Sequence, residues 1–250
     1  MNFAELKDFL DHKAEQYENA AFIESDPILL PHRFHRKEDI EIIAFLVATI
    51  AWGNRKSIIK SGDKLIHVLN DHPFEFVMNY QGQPLNFVHR TFNAHDLSFF
   101  LLALRNIYEN HGGLEEAFSL EKNQSSAKQR IINFRQKFLA LPHDSRSDKH
   151  LSNPEKNSAA KRINMFLRWM VRDATKGVDF GIWPSISPAE LCIPLDVHTS
   201  NNARRLGLIT RKQDDWKALH ELMKHLRQFD PKDPAKYDFA LFGLGVFEGF

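Results

Sequence analysis

A single cysteine, Cys192, stands in 250 residues. That excludes an internal disulfide and any four-cysteine zinc or iron–sulfur cluster. No apolar run approaches the ~20 residues needed to cross a bilayer, so no membrane partner is expected. The start, Met1-Asn2-Phe3-Ala4-Glu5, lacks the basic opening and apolar stretch of a secretory signal. A cytoplasmic location is the expectation. Sustained alternation of apolar and polar residues is missing, which argues against half-buried strands. There is no glycine-rich nucleotide fingerprint, and no cofactor or metal is expected.

An excess of one charge is also lacking. The chain has 33 Lys or Arg against 32 Asp or Glu, a net +1 with histidine neutral. Net charge is therefore silent about a nucleic-acid partner, but the distribution is not. From Glu121 to Lys176 thirteen basic residues stand against five acidic ones, a local excess of +8. Such a block suits a surface that meets phosphates, and equally a solvated helical surface.

What is present is helical periodicity. Ile40, Ile43, Ala44, Val47, Ile50 and Ala51 follow the i, i+3, i+4, i+7 spacing of one buried face. Leu97, Phe100, Leu101, Leu104 and Tyr108 repeat it, as do Leu219, Leu222, Met223 and Leu226. The expected class is all-α, with roughly ten helices on short loops. Two stretches interrupt it. Leu141 to Asn157 is polar with two prolines, and Gly177 to Pro194 carries Pro184, Pro188 and Pro194 around Phe180 and Trp183. Proline at that density forbids a long helix.

The helix opening near Ser158 carries the first candidate chemistry. Ile163, Phe166, Leu167, Met170 and Val171 cluster on one face, while Lys161, Met165, Arg168 and Arg172 share the opposite one. A lysine in the first turn sits at the positive end of the helix, an electrostatically poor place for a cation. Lysine amines are also among the nucleophiles that form Schiff bases. Taken alone, Lys161 reads most simply as an exposed residue on a solvated face. The second element is Leu191-Cys192-Ile193-Pro194-Leu195-Asp196-Val197-His198-Thr199. An apolar run ends at Asp196, and Val197 to Leu206 reads as a helix stopped by Gly207, which makes Asp196 a natural N-cap. A partly buried carboxylate held ionised by helix amides can stabilise a positive transition state.

Together these elements resemble the catalytic half of the helix-hairpin-helix DNA glycosylases, over Ser158 to Gly245. Ile193-Pro194-Leu195-Asp196-Val197-His198 resembles the segment bearing their catalytic aspartate. Ser158-Ala159-Ala160-Lys161-Arg162 resembles the helix start bearing the lysine of the bifunctional members. The long interval between lysine and aspartate is most similar to the archaeal 8-oxoguanine glycosylase branch. So is Tyr237-Asp238-Phe239-Ala240-Leu241-Phe242-Gly243-Leu244-Gly245, which looks like that branch's last base-pocket helix. Asn164 to Arg172 and Gly181-Ile182-Trp183-Pro184-Ser185-Ile186 resemble more closely a bacterial family with no assigned function. Thr49 to Asn54, with Trp52, resembles the early helix that faces the DNA minor groove. The Leu-Pro-Gly-Val-Gly hairpin is absent, replaced by His150 to Asn157.

The resemblance implies two helical lobes with a cleft between them. Residues 52–175 would form a contiguous lobe carrying Lys161, and residues 1–51 with 176–250 a second carrying Asp196. It implies attack by Lys161 on the anomeric carbon of a flipped nucleotide, with Asp196 stabilising the developing charge. Met165 and Phe242 would cover the two faces of the base, Asp238 would accept from its edge, and Trp52 would line the substrate site. Lys156, Arg162, Arg168 and Arg172 would contact phosphates. The implied partner is duplex DNA containing a damaged base, bound by a monomer. Two other classes stay open: a DNA- or RNA-binding helical module without catalysis, and a helical protein that binds a small molecule or a protein partner.

Overall fold

The computed structural model describes residues 1–121 and 126–250. Lys122, one of the basic block, lies outside the described residues. The described chain is predominantly helical, with α1 at Phe3–Tyr17, α2 at Ala20–Ile23, α3 at Lys37–Ile50 and α4 at Arg55–Val68. There follow α5 at Pro73–Asn79, α6 at Ala94–Asn110, α7 at Leu114–Ala117 and α8 at Ala127–Phe138. The last four are α9 at Lys161–Val171, α10 at Val197–Arg205, α11 at Trp216–Phe229 and α12 at Tyr237–Phe247. The described sheet is one two-residue ribbon, β1 at Val88–His89 against β2 at Phe92–Asn93. No helix among the described residues is long and apolar enough to cross a membrane.

Helix boundaries follow local chemistry. Asn2 and Asn93 accept amide hydrogens from the first turns of α1 and α6, and the third residue of each helix, Glu5 or Asp96, bonds back to the cap. Asn54 caps α4, and Asp215 caps α11. The helix anticipated over Val197 to Leu206 is α10, and it ends at Gly207 with φ +74°.

Two compact units emerge, one formed by Met1–Phe22 with Asn153–Phe250 and the other by Ile23–Ser152. This differs from the expected lobes: Lys161 and Asp196 belong to the same unit, and Trp52 belongs to the other. The reason is that α9 packs with segments far from it in sequence. Phe166 of α9 stands edge-on to Trp183 at 5.2 Å, and its arginines pair with carboxylates from the two ends of the chain.

In the 23–152 unit, α3 is buried along nearly its whole length. Its Phe45 joins Phe100, Phe134 and Phe138 in a continuous aromatic core, with ring centroids 5.3–6.0 Å apart. In the other unit α12 packs along α1 and α10. Gly243 permits this approach, because a Cβ there would lie 2.1 Å from the Tyr17 ring. Trp183, from the proline-rich stretch, is part of the buried core.

Candidate active site around Lys161 and Asp196

The turn that delivers Lys161 is built from polar residues. Asn153 accepts the Glu155 amide and starts a single 3-10 turn, Pro154–Lys156. Asn157 then takes a left-handed conformation, φ +65°, and its side-chain amide donates to Asp215 at 2.7 Å. Asn157 also accepts the Trp216 amide through its carbonyl. Ala160 is left-handed too, at φ +47°, a conformation that costs a residue with a Cβ roughly 1–2 kcal/mol. Its carbonyl accepts the amide of Asn164, and the buried Asn164 side chain donates to Ala159 O at 2.9 Å. Helix α9 therefore begins at Lys161 itself, three residues later than the anticipated Ser158.

Asp196 comes from the extended run before α10 and uses both carboxylate oxygens. Oδ1 accepts the Thr199 amide at 2.8 Å, the N-cap bond expected from the sequence. Oδ2 lies 3.4 Å from Lys161 Nζ. The pair thus joins the side chain of the first residue of α9 to the cap of α10, where the positive end of α10 favours the ionised carboxylate. The Lys161 side chain keeps 39% of its exposure and that of Asp196 14%, so the amine is reachable from solvent.

Behind this pair lies buried charge. Arg168 Nη1 donates to Asp238 Oδ2 at 2.6 Å. Arg168 Nε is 3.3 Å from Asp179 Oδ1, a charge contact without hydrogen-bond geometry. Arg172 donates to Glu18 at 2.6 Å, to Asp179 at 2.7 Å and to Asp233 at 2.7 Å. Burial first, and then the charges of Asp196 and Asp179, raise the Asp238 carboxyl to about 7 against the opposing pull of Arg168. Burial likewise raises Asp179, although both arginines act against it.

These contacts correct several expected roles. Arg168 and Arg172 are buried and ion-paired, so they are not phosphate contacts on a free helix face. The polar stripe of α9 was legible, but carboxylates distant in sequence cover its second half. Reversing both charges would therefore strike the fold before any ligand. Arg162 is half-buried at the start of α9, and that burial lowers its guanidinium to about 10. Lys156 is exposed on the 3-10 turn, as a phosphate contact requires. The basic block divides between the two units, and Arg130 within it is buried with Nη1 on Phe118 O.

Met165 is half-buried one turn after Lys161. Phe242 is half-buried one turn after Asp238 and stands edge-on to Phe22, 5.9 Å between centroids. Trp52 sits in the 23–152 unit, stacked on His150 at 5.9 Å and edge-on to His89 at 5.1 Å. Sequence reasoning missed Asp179, Glu18 and Asp233. Asp179 lies seven residues after Arg172 in a loop, and no spacing rule flags it.

A family model described as "Protein of unknown function (DUF2400)" matches residues 26–247. The chain belongs to this DUF2400 family. No curated protein and no solved structure matches it. The matched span contains Lys161 and Asp196, together with Arg168, Arg172, Asp179, Asp233 and Asp238, while Glu18 precedes it. Most of the buried network of this DUF2400 chain is thus inside the region that defines the family.

Proposed function

We propose that this chain is a DNA base-excision glycosylase with abasic-site lyase activity, acting on an oxidised purine such as 8-oxoguanine. The proposal includes the helix-hairpin-helix glycosylase fold, a monomeric state and action in the cytoplasm without a cofactor. One observation carries it: an accessible lysine amine 3.4 Å from a helix-capping carboxylate. In the proposed reaction Lys161 Nζ, as the free amine, attacks C1′ of a flipped nucleotide. The bond from C1′ to the base breaks, and the base leaves with the electron pair and takes up a proton. Asp196 stabilises positive charge on the sugar as that bond lengthens. The C1′–O4′ bond then breaks as the nitrogen forms a double bond to C1′; O4′ leaves with the electron pair and takes up one of the two protons on nitrogen, which leaves a protonated imine. Loss of a C2′ proton then expels the 3′-phosphate.

The test is covalent trapping. Borohydride reduces an imine to a stable amine, so wild-type protein should be captured on a duplex with 8-oxoguanine opposite cytosine, or on an abasic duplex. Lys161→Gln should abolish capture while duplex affinity stays within about tenfold, or about 1.4 kcal/mol, because one exposed charge is lost. Capture of neither duplex by wild type would sink the lyase assignment and favour a binding module. Capture that survives Lys161→Gln would move the nucleophile elsewhere.

A further inference from the structure

The buried charge behind Lys161 is not explained by stability. Replacing a buried ion pair with well-packed apolar residues is often neutral or stabilising, so packing alone would favour hydrocarbon here. Two guanidiniums contact four carboxylates: Glu18, Asp179, Asp233 and Asp238. Lys161 already answers Asp196. Even without the partly exposed Asp233, three buried carboxylates face two guanidiniums, and a proton on one carboxyl relieves the excess.

Asp238 is the member that can report to the site. It is 4% exposed, on α12, and its one described hydrogen bond is to Arg168 through Oδ2. Arg168 is itself confined, with Asp179 on one side and its guanidinium carbon 4.4 Å from the centre of the Phe239 ring. The charges that act on Asp238 are Arg168 on α9, Asp179 after α9 and Asp196 at the α10 cap. Glu18, at the end of α1, and Asp233, before α12, are taken up by Arg172. From α10, His198 faces α12 further along, at Gly245.

We infer that Asp179, Arg168 and Asp238 form a positioning relay for the Lys161–Asp196 pair, in which Arg168 fixes the Asp238 carboxyl within electrostatic range of Asp196. The charge on Asp238 then sets how negative the surroundings of the pair are. Asp238 is neutral at low pH, and it becomes an anion as pH rises through about 7. An added buried anion stabilises a cationic transition state. The catalytic consequence rests on the proposed glycosylase activity; the electrostatic one does not.

The experiment has an arm that needs no activity. Lysines of the full chain are dimethylated with carbon-13 formaldehyde, and the Lys161 signal is identified by its loss in Lys161→Gln. Its chemical shift is followed against pH. An inflection near pH 7 is expected in wild type. It should vanish in Asp238→Asn, which keeps shape and removes charge. In Arg168→Lys it should move to higher pH, because an ammonium lacks the fork that holds the carboxylate. The second arm follows borohydride trapping on the abasic duplex. Wild-type trapping should rise severalfold from about pH 6 to about pH 8, and Asp238→Asn should flatten that limb. No wild-type inflection, or one unchanged in Asp238→Asn, would overturn the relay. If Asp238→Asn does not fold, Arg168→Lys decides in the same way. If wild type is never trapped, the glycosylase proposal fails and the resonance alone judges the relay.

Discussion

Residues 23–152 centre their core on clustered phenylalanine rings, whereas the unit made by residues 1–22 and 153–250 sets two buried arginines, Arg168 and Arg172, among carboxylates beside its apolar core. Around Phe45 the first sets ring against ring, with Phe134 stacked on Phe118 at 4.0 Å and Phe92 edge-on to Phe100 at 5.2 Å. Around Arg172 the second gathers three carboxylates on one guanidinium. An aromatic core tolerates alternative packings of similar volume, at a graded cost. A guanidinium fork accepts few geometries, because each donor needs its own oxygen. The charged unit is therefore the one whose segments are held in a specific arrangement, and it is the unit that carries the Lys161–Asp196 pair.

Three substitutions would break or sharpen this contrast. The largest effect is expected for Arg172→Ala, which leaves Glu18, Asp179 and Asp233 without their cation. Removing one partner of a buried pair costs about 3–5 kcal/mol. Denaturant unfolding should show that loss, and it should shrink on acidification as the stranded carboxylates take up protons. Phe100→Ala, in the other unit, should cost about 3–4 kcal/mol by leaving a cavity, with no such recovery in acid. Equal pH dependence in the two variants would erase the distinction between the units.

A smaller effect concerns the pH profile of stability. The folded carboxyl of Asp238 is raised to about 7 from an ordinary 3.8. Between those values the native state holds a proton that the unfolded chain releases, so this group's contribution is full below about pH 4 and is lost as pH rises through about 7. Asp238→Asn should flatten stability over that window. A wild-type profile already flat there would remove the basis for a protonated Asp238.

Much of the fold was legible because helices announce themselves locally. The spacing of Ile40 to Ala51, of Leu97 to Tyr108 and of Leu219 to Leu226 marked α3, α6 and α11. Asp196 was legible as a cap because capping is a contact over three residues. The start of α9 was not, since the left-handed Asn157 and Ala160 are held by Asp215 and Asn164, and no residue preference demands them.

The sequence by itself determined the helical class, the apolar faces and the two chemical candidates, Lys161 and Asp196. These follow from periodicity and near-neighbour bonds, which act over a few residues. Only the tertiary structure decided that the two belong to one unit, that Arg168 and Arg172 are buried, and that Asp179, Glu18 and Asp233 receive them. A polar stripe on a helix looks the same in sequence whether water or distant carboxylates cover it. Desolvation and pairing depend on neighbours distant in sequence, as Glu18 is from Arg172 across 154 residues.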